Sequence, residues 1–360
     1  MSKPHRTIAL RHPGHRHGPI TRLISPGQEG ARTKPFVFLD DVEAPAGAGP
    51  RFGFHPHSGI ATLTFPLTFD IEHEASTGQV DLVRQRGVEW VLAGGGIWHR
   101  GRPLAAPGSG PLRAFQLWLA MPPSHELAEP DTRFIQPHEV PRSGPATVLL
   151  GSHGGMASPL ATPLDANCLW VELGDGESWT YAPPPTHRSA WLFAQRGRPE
   201  VGDAQLEREL AIFEEGDGLL RVRAVGDCGF LLGSAAPHPH DLVLGSHSVH
   251  THPGALAAGT RRIADIGQEL RREGKLTCPC PFSCPGAVRT PRVRHPADGM
   301  APPCPRGCTP QRCRAHARPA LAVCKAVPMC FCSPAWAPPG RPPAFFLEFS
   351  CCSTRSASDR

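Results

Sequence analysis

Between about residue 35 and residue 235 the chain reads as short apolar or alternating runs, separated by clusters of Gly, Pro and Asp. The runs are PFVFLDD, GIATLTF, GVEWVLA, RAFQLWLAM, ATVLLGS, NCLWVEL, AWLFAQRG, LAIFEEGDGLLRVRA and CGFLLGS. Runs of this length with turn residues between them predict strands, and their regular recurrence favours an all-β sandwich or barrel over alternating strands and helices. In ATLTF the apolar residues Ala61, Leu63 and Phe65 alternate with Thr62 and Thr64, which predicts a half-buried strand. The proline-rich stretch QPHEVPRSGP, 136–145, interrupts the series near its middle and is the expected linker between two β-rich halves.

The period changes in THPGALAAGTRRIADIGQELRREGKL, where Leu256, Ile263, Ile266 and Leu270 fall on one helical face. Arg271 and Arg272 near its end complement the helix dipole and Gly274 is a stop signal, so an amphipathic helix docked on a sheet is expected to close the ordered part. Expected domains are therefore 1–135, 145–276 with the helix, and a separate tail, 277–360.

Composition bears out that last division. The final 84 residues hold 11 of the 13 cysteines and 11 Lys/Arg against three acids, whereas the preceding 276 carry 26 Lys/Arg against 29 Asp/Glu. The excess of positive charge is confined to the tail, and no basic stripe suggests direct nucleic-acid binding. In the tail, Cys278, Cys280 and Cys284 and then Cys304, Cys308 and Cys313 have zinc-ligand chemistry. Their C-x-C-x3-C and C-x3-C-x4-C spacings depart from the usual paired arrangement, so a disordered or non-native extension is the preferred reading. No run of 18 apolar residues suggests a membrane span, and no apolar signal core opens the chain. A soluble, cytoplasmic monomer is expected.

The candidate chemistry lies in histidines. His55 and His57 stand at i and i+2, so on a strand both project from one face. His99 follows at the end of GVEWVLAGGGIWH, after a glycine triplet that permits close backbone approach. Three such imidazoles can make a facial site for one divalent first-row metal. Gln116 is a candidate to line its pocket, an ordinary barrel-lining position being the alternative, and Trp98 is most simply a core aromatic, with pocket lining the second reading. His73 is expected in a structural hydrogen bond, and the second HPH, His238 to His240, in a loop role.

The blocks PFVFLDD, HPHSGIATLTF, IEHEASTG, GVEWVLAGGGIWH and FQLWLAMP resemble, in order, the N-terminal blocks of the pirin family. The resemblance implies a bicupin with two jelly-roll-like barrels, a metal in the first, and a helix ending near Leu276. It also implies a site of the form H-x-H on one strand plus H-x-E on a later one, usually with Fe(II), other first-row metals remaining open. His55, His57 and His99 match its histidines, but Gly101 stands where its carboxylate would be, which leaves the expected site without a general base. Some members resemble quercetin 2,3-dioxygenases and others act through protein partners. The implied functions are thus oxygenation of a flavonol-like or other small aromatic substrate, or metal and redox sensing without catalysis.

Overall fold

The computed structural model describes residues 5–45, 52–104 and 110–276, so the reading of the Cys-rich tail falls outside the described residues. Every predicted run forms at least one strand, and the strands assemble into two barrels, each a seven-stranded sheet facing a four-stranded one. In the first barrel the large sheet runs in the order Asp131–Ile135, Val88–Leu92, Ile60–Pro66, Leu112–Ala120, Phe36–Ala44, Ile20–Ile24, His15–His17. The small one runs Phe52–His57, Ile97–Leu104, Asp70–Ala75, Val80–Val83. The second barrel repeats the plan around Ser189–Arg196, Cys228–Ala235 and Ala166–Leu173, giving the all-β bicupin.

The largest core lies between the barrels rather than inside either. Alternation along Ile60–Pro66 and Leu112–Ala120 turns Leu63, Phe65, Phe115, Leu117 and Leu119 away from their own chamber and onto Trp170, Trp191, Phe193 and Leu231 of the second large sheet. Phe36 meets Trp191 edge-on at 5.4 Å between ring centroids, and Phe115 meets Phe193 at 6.1 Å. This corrects the half-buried reading of ATLTF. Both faces of that strand are covered, because Thr62 and Thr64 point into the first barrel while the apolar face meets its neighbour.

The boundary drawn at residue 135 does not separate the barrels cleanly. Ile8–His12 leaves the first barrel and pairs antiparallel with Leu210–Phe213 at the edge of the second large sheet. Conversely, the Pro253–Arg272 helix docks on the first barrel's strands Phe52–His57 and Ile97–Leu104. His252 caps the helix by accepting from the Ala255 amide, Pro253 occupies its first turn, and Gly274, at φ +74°, ends it as expected. Gly259 and Gly267 let it lie close. A Cβ at 259 would fall 2.5 Å from Ser58 Oγ, and one at 267 only 2.8 Å from the Trp98 ring. Among the described residues no helix is long and apolar enough to cross a membrane.

Candidate metal centre

The three histidines meet at one end of the first chamber. His55 lies directly across the ladder from His99, and His57 stands two residues further along the same face, opposite Ile97. Ring centroids are 4.4 Å apart for His55 and His99, 5.1 Å for His57 and His99, and 4.9 Å for His55 and His57, with ligand atoms of all three within 4.8 Å of one another. His57 and His99 are 2% and 4% exposed, while His55 is partly open to the outside.

Backbone carbonyls set two of the imidazoles. A carbonyl can only accept, so His55 Nδ1–H donates to Gly53 O at 2.8 Å and His57 Nδ1–H to His247 O at 3.2 Å, leaving each Nε2 with its lone pair available. Both ring nitrogens of His99 are buried without a hydrogen-bond partner. Such orphaned atoms are costly in an apolar interior unless something polar meets them, and a metal ion would do so. Burial also pushes all three imidazoles below the ordinary histidine value, so they stay neutral and compete little with protons for a cation. The donor set therefore fits a divalent first-row metal.

The opposite wall is a polar row in register across the large sheet. Asp40 pairs with Gln116, Gln116 with Thr64 and Thr64 with Glu89, all on the chamber face. The Thr64 hydroxyl donates to Glu89 Oε2, and His73 Nδ1 reaches Glu89 Oε1 from the small sheet. Burial alone would raise the Glu89 carboxyl, but His73 and Thr64 outweigh it and hold the group below its usual range, as an ionised carboxylate. His73, Glu89 and His99 form a second metal-capable cluster that shares His99 with the first. The chamber thus has an acid within reach of the histidines after all. It is Glu89, unmarked by any motif and noticeable only as one charged residue in an otherwise apolar strand.

The other candidates divide. Gln116 does face the chamber, its Oε1 3.3 Å from the Thr64 hydroxyl oxygen and its Nε2 buried without a partner. Trp98 does not line it. Strand alternation places it opposite His99, where its indole N–H donates to Ile263 O of the helix at 2.7 Å. The aromatic lining beside His57 is instead Trp118, 4.9 Å away and stacked on Phe38 at 4.1 Å. Gly101 lies on the inner face, across from His73, while Arg100 and Arg102 point outward to Glu74 and Glu72. His238 and His240 sit together 5.2 Å apart but belong to neither metal-capable cluster. The second barrel has a cavity of about 460 Å³ lined by Ser152, His153, Asn167 and Tyr181, with no metal-capable cluster among its described residues.

Known proteins agree with this architecture. The chain is 30% identical over 250 residues to a Vibrio cholerae protein named "Putative quercetin 2,3-dioxygenase", covering 66% of this chain and 84% of that one. An Arabidopsis thaliana pirin-like protein is 30% identical over 182 residues, spanning 49% of this chain and 58% of its own. Among solved structures, a quercetin 2,3-dioxygenase from Acinetobacter baumannii superposes with a TM-score of 0.62 at 20% identity, over 74% of this chain and 98% of that one, which supports the bicupin fold. The pirin profile itself matches residues 19–119, the segment that carries all three histidines and the polar row facing them. With the fold, the histidine constellation and the Vibrio relative in agreement, the chain belongs to the pirin family.

Proposed function

We propose that the protein holds one divalent ion, Fe(II), on His55, His57 and His99 and oxygenates a flavonol-like or related aromatic substrate in the first chamber. The observation that carries this reading is the convergence of three neutral imidazoles, two of them buried, on one point, two with fixed tautomers and the third with no partner at either nitrogen. The dioxygenase names of the relatives give the substrate class. A bound Fe(II) would polarise a substrate oxygen and supply the electron needed to engage O₂. The chain's own groups do the rest. Gly53 O and His247 O hold the two imidazoles in orientation, Trp118, backed by Phe38, offers an aromatic surface beside His57 for a flat ligand, and the orphaned Nε2 of Gln116 and hydroxyl of Thr62 offer polar contacts to it.

The test uses the full chain, so that any metal taken by the tail cysteines is common to every sample. Wild type is expected to bind about one more ion than His57→Ala by elemental analysis, and iron-loaded wild type to consume O₂ with quercetin or a related phenol. Equal metal content in the two proteins would refute the site. Metal binding without O₂ uptake on any phenol would refute the oxygenase and leave the sensing role.

A further inference from the structure

The family motif places a carboxylate two residues after the third histidine, and here that residue is Gly101. Nothing bulky has filled the gap, since a Cβ at 101 would meet only Ile71 Cγ2, at 3.4 Å. Across the ladder from Gly101 stands His73, on the same inner face. His73 is fully buried, its ring 5.3 Å from that of His99, and its Nδ1 reaches Glu89. Glu89 projects from the opposite sheet, held by Thr64, with a carboxylate oxygen within 4.8 Å of the ligand atoms of both His73 and His99. The acid is 4% exposed, and its described hydrogen-bond and ion-pair partners are His73 and Thr64.

We infer that Glu89 is the carboxylate partner of the metal centre, supplied across the barrel from Val88–Leu92 in place of the acid missing at position 101. Three neutral imidazoles leave a divalent ion with its full charge in a low-dielectric chamber, and one buried carboxylate a few ångströms away offsets half of it. His73 and Thr64 are the positioning residues. They hold the carboxylate on the side of the chamber that faces His99, as outer partners commonly hold a ligating acid. The inference rests on the three-histidine reading of the site.

The experiment is a cobalt(II) titration of the full chain, followed by its visible d–d absorption, with His55→Ala/His57→Ala as the background for any cysteine-bound metal. Glu89→Gln is expected to weaken binding at the histidine site about 10- to 100-fold and to alter the cobalt spectrum. Glu89→Gln/Gly101→Glu, which returns a carboxylate to the motif position, is expected to recover most of that affinity. Thermal melts of each metal-free protein run alongside. A Glu89→Gln protein that binds cobalt as wild type does would overturn the inference, and so would a folded double variant that fails to recover, because Glu89 would then serve only to pair His73. Titrations that do not distinguish wild type from the double-alanine background would sink the histidine site itself, and this inference with it.

Discussion

Glu126 is the buried acid that ties the last described segment of the chain to the first barrel. It is 1% exposed and accepts from Thr251 N at 2.7 Å, Thr251 Oγ1 at 2.7 Å and His250 Nδ1 at 3.2 Å. His250 in turn lies 3.0 Å from Ser58 Oγ, which donates to Ser248 Oγ at 2.8 Å, one residue from His57. Glu126→Ala removes three acceptor contacts at once and strands donors that no longer have a partner. Each stranded group costs about 1–3 kcal/mol, and about 3–5 kcal/mol is expected in all, since the losses overlap and the side chains relax. For a body of this size that corresponds to a fall in Tm of about 6–20 °C. Calorimetry gives the total, and hydrogen exchange followed by mass spectrometry locates it, with protection expected to drop across Pro253–Arg272 before the strands of either barrel. Glu126→Gln keeps one good acceptor and should fall about halfway. The exposed neighbour Glu129→Ala should stay within about 0.5 kcal/mol of wild type. A drop below about 3 °C for Glu126→Ala, or unchanged protection of the helix, would show that this network does not hold the segment down.

Other outcomes follow from the same contacts. Gly259→Ala raises helix propensity by about 1 kcal/mol, but its methyl meets Ser58 Oγ and His250 Nε2 inside 2.8 Å, so a net loss of about 1–2 kcal/mol is expected in urea unfolding; a stabilised variant would contradict the close docking. Arg86 bridges the barrels with a bidentate pair to Glu172 at 2.8 and 2.9 Å, yet its side chain is 41% exposed, so Arg86→Ala should cost less than about 1 kcal/mol. Asp41, whose side chain is fully buried, is pushed from near 3.8 to about 6 by burial despite its contact with Arg208. Because its folded value lies above its unfolded one, it contributes stability that is fully present below about pH 4 and lost as pH rises through 6. Relative to wild type, Asp41→Asn should therefore gain stability between pH 4 and pH 7.5, by up to about 3 kcal/mol; a difference that shrinks or reverses with rising pH would refute the assignment.

Local signals in the chain were enough for the strands, because a period of two survives whatever the strand pairs with. They also sufficed for His55 and His57, whose spacing alone puts them on one face, and for the helix with its stop at Gly274. Glu89 was illegible for the opposite reason. Its role depends on the registers of several strands, which bring Thr64 beside it and His73 over it, and nothing in VEWVL announces those partners. Trp98 is an intermediate case. Its place one residue from His99 already implies the outer face, but the helix that covers it there comes more than 150 residues later in the chain. The threonines of ATLTF look like a solvent face, and only the presence of a second barrel shows that solvent lies on neither side.

The crossing of the first and last described elements has a consequence for the order in which the protein can be made. Ile8–His12 emerges first but has no partner until Leu210–Phe213 is synthesised, and the carbonyl that orients His57 belongs to residue 247. The ribosome therefore releases nearly the whole of both barrels before the first strand can be seated or the histidine cluster completed. Such long-range closure makes folding slow and leaves an unpaired edge exposed during synthesis. On the proposed metal reading, the nascent chain is a poor competitor for the ion until the segment carrying His247 is in place, so such a centre would be set by the finished fold and not by the segment that carries its histidines.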